Sequence, residues 1–375
     1  VRATLVSSLM HMRRSTFGQP TFATLHSSAD VKVSREEAIR MDSEDTRHLI
    51  EQRKLALIVD LDQTIIHVTV DPTVKEWAHD PKNPNWCMLK DVVAFQLGSD
   101  GKTVSHQPER MDQHDVKSFA TDGDENGCWY YVKLRPGLQA FLQSVSPMYE
   151  MHVYTMGTRS YADCICRIVD PDGHLFGARI LSRDENGNEV QKSLSRLFPI
   201  STDMVVVIDD RADVWSWSPN LIKVEPYEFF VGIGDINAAH LGPTKPLVSS
   251  GMSDTSNTSA QGETLLTDEQ QQRVIAEQCD SRPLQRAAQE KHENKVQAIK
   301  DKTQTQGQEK DQSRAQSDGD SQNKEMGDSQ DQDQDDLKSE VIQQDLVLTD
   351  DDTELELIQT VRLRPALLTP LAVVT

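Results

Sequence analysis

Two short stretches limit what this chain can fold into: LALIV at 55–59 and MVVVI at 204–208. Each is an unbroken apolar run bounded by polar residues, the pattern of a strand buried on both faces. Each ends at once in carboxylates, Asp60 and Asp62 after the first, Asp209 and Asp210 after the second. Strands buried on both faces belong to parallel sheets covered by helices. Such sheets bind ligands beyond their carboxyl ends, near the point where the strand order reverses.

The rest of the region fits that class. Tyr149 to Tyr154 alternates apolar and polar residues and reads as a strand ending at Thr155-Met156-Gly157. After the turn at Arg135-Pro136-Gly137, the spacing of Leu138, Phe141, Leu142 and Val145 predicts a helix, and a second helix fits 158–169. Short strands fit 178–181 and 221–224. Ser34 and Glu37 have capping-box spacing, which predicts a polar helix over 35–53. Strands alternating with helices give an α/β fold: a mostly parallel sheet with helices on both faces. Residues 71–128 read as an insertion after the first strand. It holds Pro72, Pro81 and Pro84, a polar run over 98–127, and one strand at Val92 to Phe95 that pairs with Trp129 to Leu134.

All 20 aromatic residues lie at or before Phe230. From 251 to 360 there are 26 acids against 11 Lys and Arg, which is −15 of the formal net charge of −21. A stretch without aromatic side chains and rich in Gln, Asp and Ser buries too little apolar surface to offset its ordering entropy. The expected organisation is therefore a poorly ordered segment 1–33, a globular domain 34–240, and an acidic, mostly disordered tail 241–375. The acidic balance argues against direct nucleic-acid binding. No run approaches the roughly 20 apolar residues that span a bilayer, so no membrane partner is expected. Five scattered cysteines in a long chain read as free thiols, not a disulfide framework. The chain begins with Val1 and reads as a fragment.

If the three strands ending at Asp60, Thr155 and Asp209 are neighbours, their ends share one crevice. Clustered carboxylates repel, and a hard divalent cation relieves that repulsion; Mg²⁺ suits carboxylate ligands and keeps water positions for a phosphate oxygen. One Asp pair alone would be explained by helix capping. Two pairs, each directly after a buried strand, favour a metal-phosphate site. Arg183 and Lys192, around Asp184 to Gly187, are bases that could neutralise a phosphoryl group, although alone they are ordinary surface charges. Trp215 and Trp217 read either as a peptide-binding pair or as packing for the last strand.

Asp60-Leu61-Asp62-Gln63-Thr64 matches the D-x-D-x-T signature of haloacid-dehalogenase-like phosphotransferases. The stretches VDLDQTIIHVTVDPTVKEW, YYVKLRPGL, MHVYTMGTRSYA, ILSRDENG, QKSLSRLFP, VVVIDDRADVWSWSPNLIKVEPYEFF and VGIGDIN follow in order. Over about 30–238 the chain resembles the Fcp-type phosphatases, which act on the phosphorylated C-terminal domain of RNA polymerase II. The resemblance implies a HAD-like, Rossmannoid fold and a Mg²⁺-dependent protein serine/threonine phosphatase working through an aspartyl-phosphate. It makes Asp60 the nucleophile and a metal ligand. Asp62 becomes the general acid and then base, with its backbone carbonyl on the metal, and Thr64 orients Asp62 or the turn. Thr155 donates to a phosphate oxygen and Lys192 pairs with the phosphoryl group. Asp210 ligates Mg²⁺ directly, with Asp209 beside Lys192 or a metal-bound water. Arg135, Tyr149 and Arg183 match further positions, with structural and substrate roles both open. The polymerase C-terminal domain as substrate, general transcription factors as partners and the nucleus as location are implied with it. Nothing after Ile358 matches the BRCT-type domain that usually follows in this family.

Overall fold

The computed structural model describes residues 21–23, 32–111, 124, 126–186, 191–237, 268–314 and 346–363. Two short strands, β1 (Thr21–Ala23) and β2 (Lys32–Ser34), pair antiparallel ahead of α1 (Arg35–Gln52). The central sheet is built from β3 (Leu55–Val59), β8 (Tyr149–Tyr154), β9 (Ile180–Leu181), β10 (Val205–Asp209) and β11 (Leu221–Lys223). Its order is β11-β10-β3-β8-β9 and every pairing is parallel. Leu57, Ile58 and Val59 are fully buried, as the apolar run requires of a middle strand. From β3 the chain builds outward through β8 and β9, then returns to lay β10 on the other side of β3. The order reverses between β3 and β10, which puts the crevice beside Asp60, Asp209 and Asp210.

Helices α3 (Leu138–Val145) and α4 (Arg159–Val169) connect and cover these strands. On α3, Leu138, Phe141, Leu142 and Val145 are all buried, so the helix period read from sequence is the core face. Thr158 caps α4, its hydroxyl accepting from the Tyr161 N–H. A single helical turn, α5 (Arg183–Asn186), follows β9; Gly187 lies outside the described residues.

The insertion is larger than the sequence suggested. Strands β4 (Ile66–Thr69), β5 (Val93–Leu97), β6 (Val104–Arg110) and β7 (Cys128–Leu134) form an antiparallel sheet ordered β4-β7-β5-β6, with α2 (Thr73–His79) between β4 and β5. Pairing of β5 with β7 aligns Phe95 with Tyr130, matching the expected partnership. Helix α2 and two of the strands were not anticipated. β4 was hidden because it follows the Asp60 loop without a turn residue of its own. β6 lies in the polar run and is only half-buried, so it carries no apolar signature.

The expectation of a disordered tail fails for three segments. Helices α6 (Asp268–Ser281) and α7 (Pro283–Arg314) are formed, and residues 346–363 lie against the core. α7 buries Leu284 fully. Within 346–363, a short α8 (Glu354–Leu357) runs into one wider turn, Ile358–Leu363. Leu355, Ile358 and Leu363 join the cluster that contains Phe141, Val145 and Tyr149. The acids beside them are also used. Asp350 meets Lys133 Nζ at 3.0 Å and accepts from the Tyr227 hydroxyl at 2.8 Å; Asp352 meets Arg135. Composition averaged over the tail conceals a few aliphatic side chains and acids that each have a defined partner. All five cysteines are free, as expected. Among the described residues no helix is long and apolar enough to cross a membrane.

Candidate active site

The site is assembled by three neighbouring strand ends. β3 delivers Asp60, β10 delivers Asp209 and Asp210, and β8 delivers Thr155. One carboxylate oxygen from each of Asp60, Asp209 and Asp210 lies within 4.8 Å of the other two, and all three residues are buried. Lys192 reaches in from the loop after α5, with Nζ 2.6 Å from Asp60 Oδ1 and 2.7 Å from Asp209 Oδ2. That loop is held from two sides. The Lys192 N–H donates to the Val214 carbonyl at 2.9 Å, and the Tyr154 hydroxyl donates to Asn186 Oδ1 at 2.6 Å while accepting from the Ser193 N–H.

Asp209 is the hub of its strand end. Its Oδ2 accepts from Trp215 Nε1 at 2.7 Å as well as from Lys192, and its Oδ1 accepts from the Arg211 N–H at 2.8 Å. The two tryptophans weighed together therefore part company: Trp215 is buried against Asp209, and Trp217 is 74% exposed. Of the two roles expected for Thr64, orienting Asp62 or the turn, its hydrogen bonds fit the second. Its hydroxyl donates to Asp210 Oδ1 at 3.0 Å and accepts from the Asp210 N–H at 3.0 Å, so it ties the two strand ends together and does not reach Asp62. The turn between Asp62 and Thr64 is made by Gln63 at φ 54, a left-handed conformation that costs about 1 kcal/mol for a residue with a Cβ. It is secured by the Tyr227 N–H on the Gln63 carbonyl at 2.7 Å and the Asp235 N–H on Gln63 Oε1 at 3.1 Å.

Asp62 sits in a separate polar pocket. The Tyr161 hydroxyl donates to its Oδ1, and Asn237 Nδ2 donates to its Oδ2 at 2.9 Å. Gly157 makes this possible, because a Cβ there would stand 2.4 Å from Tyr161 Cδ1. Burial raises the Asp62 carboxyl to about 6, opposed by the Tyr161 and Asn237 hydrogen bonds. Burial and repulsion from Asp209 hold Asp60 well above the ordinary carboxylate range, and the same two causes lift Asp210 to about 7. Lys192 is driven down by burial, but attraction to Asp209 and Asp60 more than reverses this and its ammonium is stabilised. Three buried carboxylates thus face one buried ammonium. The donor set is all oxygen, compact and short of positive charge, which fits a hard divalent ion at Asp60, Asp209 and Asp210.

Of the remaining predicted residues, Thr155 is at the site; its Oγ1 accepts from the Gly157 N–H at 3.0 Å, which leaves the hydroxyl proton as a donor. Arg183 begins α5 and lines a cavity of about 310 Å³ beside the site, together with Tyr130, Thr158, Tyr161 and Asn237. Arg135 and Tyr149 are placed elsewhere. The Arg135 guanidinium is buried among the Thr64 and Glu225 carbonyls and Asp352, and so braces the back of the Asp60 loop. Tyr149 begins β8, beside Leu55 at the amino end of the sheet, and its hydroxyl donates to the Leu363 carbonyl at 3.3 Å. Reasoning from sequence missed Tyr161, Trp215, Asn237 and Asp235 as site residues. All four lie in quoted stretches, Tyr161 in MHVYTMGTRSYA, Trp215 in VVVIDDRADVWSWSPNLIKVEPYEFF, and Asp235 and Asn237 in VGIGDIN, which was the available signal; burial and the Asp62 charge raise the Asp235 carboxyl to about 7.

Residues 55–257, over half the chain, match the model of the NLI interacting factor-like phosphatase family. The chain belongs to this phosphatase family. It is 50% identical over 244 residues to the RNA polymerase II C-terminal domain phosphatase of Schizosaccharomyces pombe, covering 64% of this chain and 30% of that protein. The Saccharomyces cerevisiae protein of the same name is 52% identical over 243 residues, covering 64% of this chain and 32% of that one. This chain therefore spans about a third of the length of these relatives. Among solved structures it is similar to Fcp1, described as an essential RNA polymerase II CTD phosphatase, with a TM-score of 0.55, 36% identity, and coverage of 85% of this chain and 64% of that one. A fission yeast RNA polymerase II CTD phosphatase Fcp1 bound to beryllium fluoride is similar at a TM-score of 0.54 and 38% identity. The α/β fold expected from the two apolar runs, HAD-like by resemblance, is the fold observed.

Proposed function

We propose that this chain is a Mg²⁺-dependent protein serine/threonine phosphatase that acts on the phosphorylated C-terminal domain of RNA polymerase II. One observation carries the reading. Three buried carboxylates cluster at the strand-order reversal, two of them paired with Lys192, with a fourth, Asp62, held two residues beyond Asp60 by its own donors. The names of the similar proteins supply the substrate, and a nuclear location and general transcription factors as partners accompany it.

In the proposed reaction a carboxylate oxygen of Asp60 attacks phosphorus and forms the aspartyl-phosphate. The seryl or threonyl oxygen leaves with a proton from Asp62, which burial keeps partly protonated near neutral pH. Asp62 then takes a proton from water as that water attacks the acyl phosphate, releasing inorganic phosphate and restoring Asp60. Lys192 and the Thr155 hydroxyl offset the charge on the phosphoryl oxygens. Mg²⁺, held by Asp60, Asp210, the Asp62 carbonyl and the Asp209 side, would supply further charge neutralisation when bound. Arg183, in the wall of the adjacent cavity, is the proposed contact with the substrate chain. Arg135 and Tyr149 have internal partners and are assigned to the scaffold.

The test is phosphate release from a doubly phosphorylated heptad-repeat peptide, with and without Mg²⁺. Release is expected only with the metal. None from the parent chain with Mg²⁺ would end the assignment, and equal release from Asp60→Asn would end the covalent mechanism.

A further inference from the structure

We propose that Gln271 of α6 is a positioning residue for Asp62, acting through Asn237; the inference rests on Asp62 exchanging protons with the substrate. The side chains form one relay. Gln271 Nε2 donates to Asn237 Oδ1 at 2.8 Å, and Asn237 Nδ2 donates to Asp62 Oδ2 at 2.9 Å. A carboxamide has one donating and one accepting end of nearly the same shape. Turned over, Asn237 would set its carbonyl against the Asp62 carboxylate and forfeit the bond. The Gln271 donor is satisfied only by the orientation in which Asn237 gives its N–H to Asp62. Gln271 is buried and so carries this preference out of competition with water.

The position of Gln271 is set by the seating of α6. Gln278, two turns on, accepts from the Thr69 hydroxyl at 3.2 Å and the Val70 N–H at 2.9 Å. Ile275 packs on the core from the same face, and Gln272 Nε2 donates to the Ser99 carbonyl at 2.8 Å. A glutamine-rich helix outside the catalytic motifs thereby reaches the proton-transferring carboxylate. Its face carries amides where it meets polar atoms of the site and of β4, and Ile275 where it meets the core.

The experiment compares two substrates on the full chain with Mg²⁺. A phosphoserine peptide must have its leaving oxygen protonated; p-nitrophenyl phosphate releases a stable phenolate and needs little help. The value of kcat/KM reports the step in which that group departs. For Gln271→Leu, kcat/KM is expected to fall about tenfold on the phosphopeptide and about twofold or less on the aryl phosphate, a fraction of what a general acid contributes. Gln271→Glu, with the same length and no donor, should reproduce the pattern should the leucine variant not fold. Gln272→Leu, which loosens the helix without touching Asn237, should keep the parent ratio. Equal losses on both substrates, no loss, or the same selective loss in Gln272→Leu would each overturn the proposal. Asp62→Asn is the reference. A selective, larger loss there sustains the role of Asp62, so a failure confined to Gln271 is distinguishable; equal losses there remove that role and the proposal with it.

Discussion

Asp352→Ala should destabilise the protein far more than removal of an acid from a disordered tail would. Arg135 lies fully buried, with its Nε and Nη2 each 2.7 Å from an Asp352 oxygen, a two-pronged pair. Its remaining donors go to the Thr64 and Glu225 carbonyls, each at 2.9 Å, and the guanidinium lies 5.4 Å from the Tyr227 ring centre. Removing the carboxylate leaves a buried cation with two carbonyls and no counter-charge. Breaking one partner of a buried pair costs about 3–5 kcal/mol, against about 0–1 kcal/mol for an exposed pair. The Asp352 side chain keeps 22% of its exposure, so water screens part of the interaction and the lower end, about 3 kcal/mol, applies. Urea unfolding of the parent, Asp352→Ala and Asp352→Asn at neutral pH measures this directly. Asn keeps an acceptor and should recover part of the loss. A change below about 1 kcal/mol for Asp352→Ala, with an unaltered urea dependence, would refute the reasoning and return Arg135 to the substrate-binding candidates.

Gly157→Ala should push the Tyr161 ring away from Asp62, because the added Cβ stands 2.4 Å from Cδ1; a loss of about 1–3 kcal/mol in stability and a fall in kcat/KM, read by urea unfolding and phosphopeptide kinetics, are expected. His67 is buried and accepts the Phe229 and Phe230 N–H groups on Nδ1, and burial holds its imidazole down at about 4 from 6.5. The unfolded chain therefore takes up the proton first, and the stability His67 contributes is lost as pH falls from 6.5 toward about 4. The full loss is about 3 kcal/mol. Unfolding of parent and His67→Gln at pH 7 and pH 4.5 should show a gap that narrows with acid. Adding Mg²⁺ should raise the melting temperature of the parent and leave that of an Asp60→Asn/Asp210→Asn double variant nearly unchanged, since only the parent has the full set of repelling carboxylates to neutralise.

What the sequence determined by itself is whatever depends on near neighbours along the chain. A short unbroken apolar run followed at once by an aspartate reads as a middle strand with its carboxylate at the crevice, and both β3 and β10 are that. The helix period of 138–145 names its own buried face. The signature at 60–64 and the motifs after it named Asp60, Asp62, Lys192 and the Asp209-Asp210 pair before any geometry was known. Other parts were legible only in three dimensions, because they consist of polar side chains whose partners lie far along the chain. Thr64 reaches Asp210 across two strand ends. Arg135 matches a family position yet spends its donors on carbonyls and on Asp352. The tail looked unable to fold because its composition was averaged; in place, Leu355, Ile358 and Leu363 fill a gap in a core that other elements had already built, and the ordering entropy is offset by surface the tail does not itself supply. Gln271 is the sharpest case. In sequence it is one glutamine among many, and it becomes part of the site only because α6 is docked where Asn237 and Asp62 already meet.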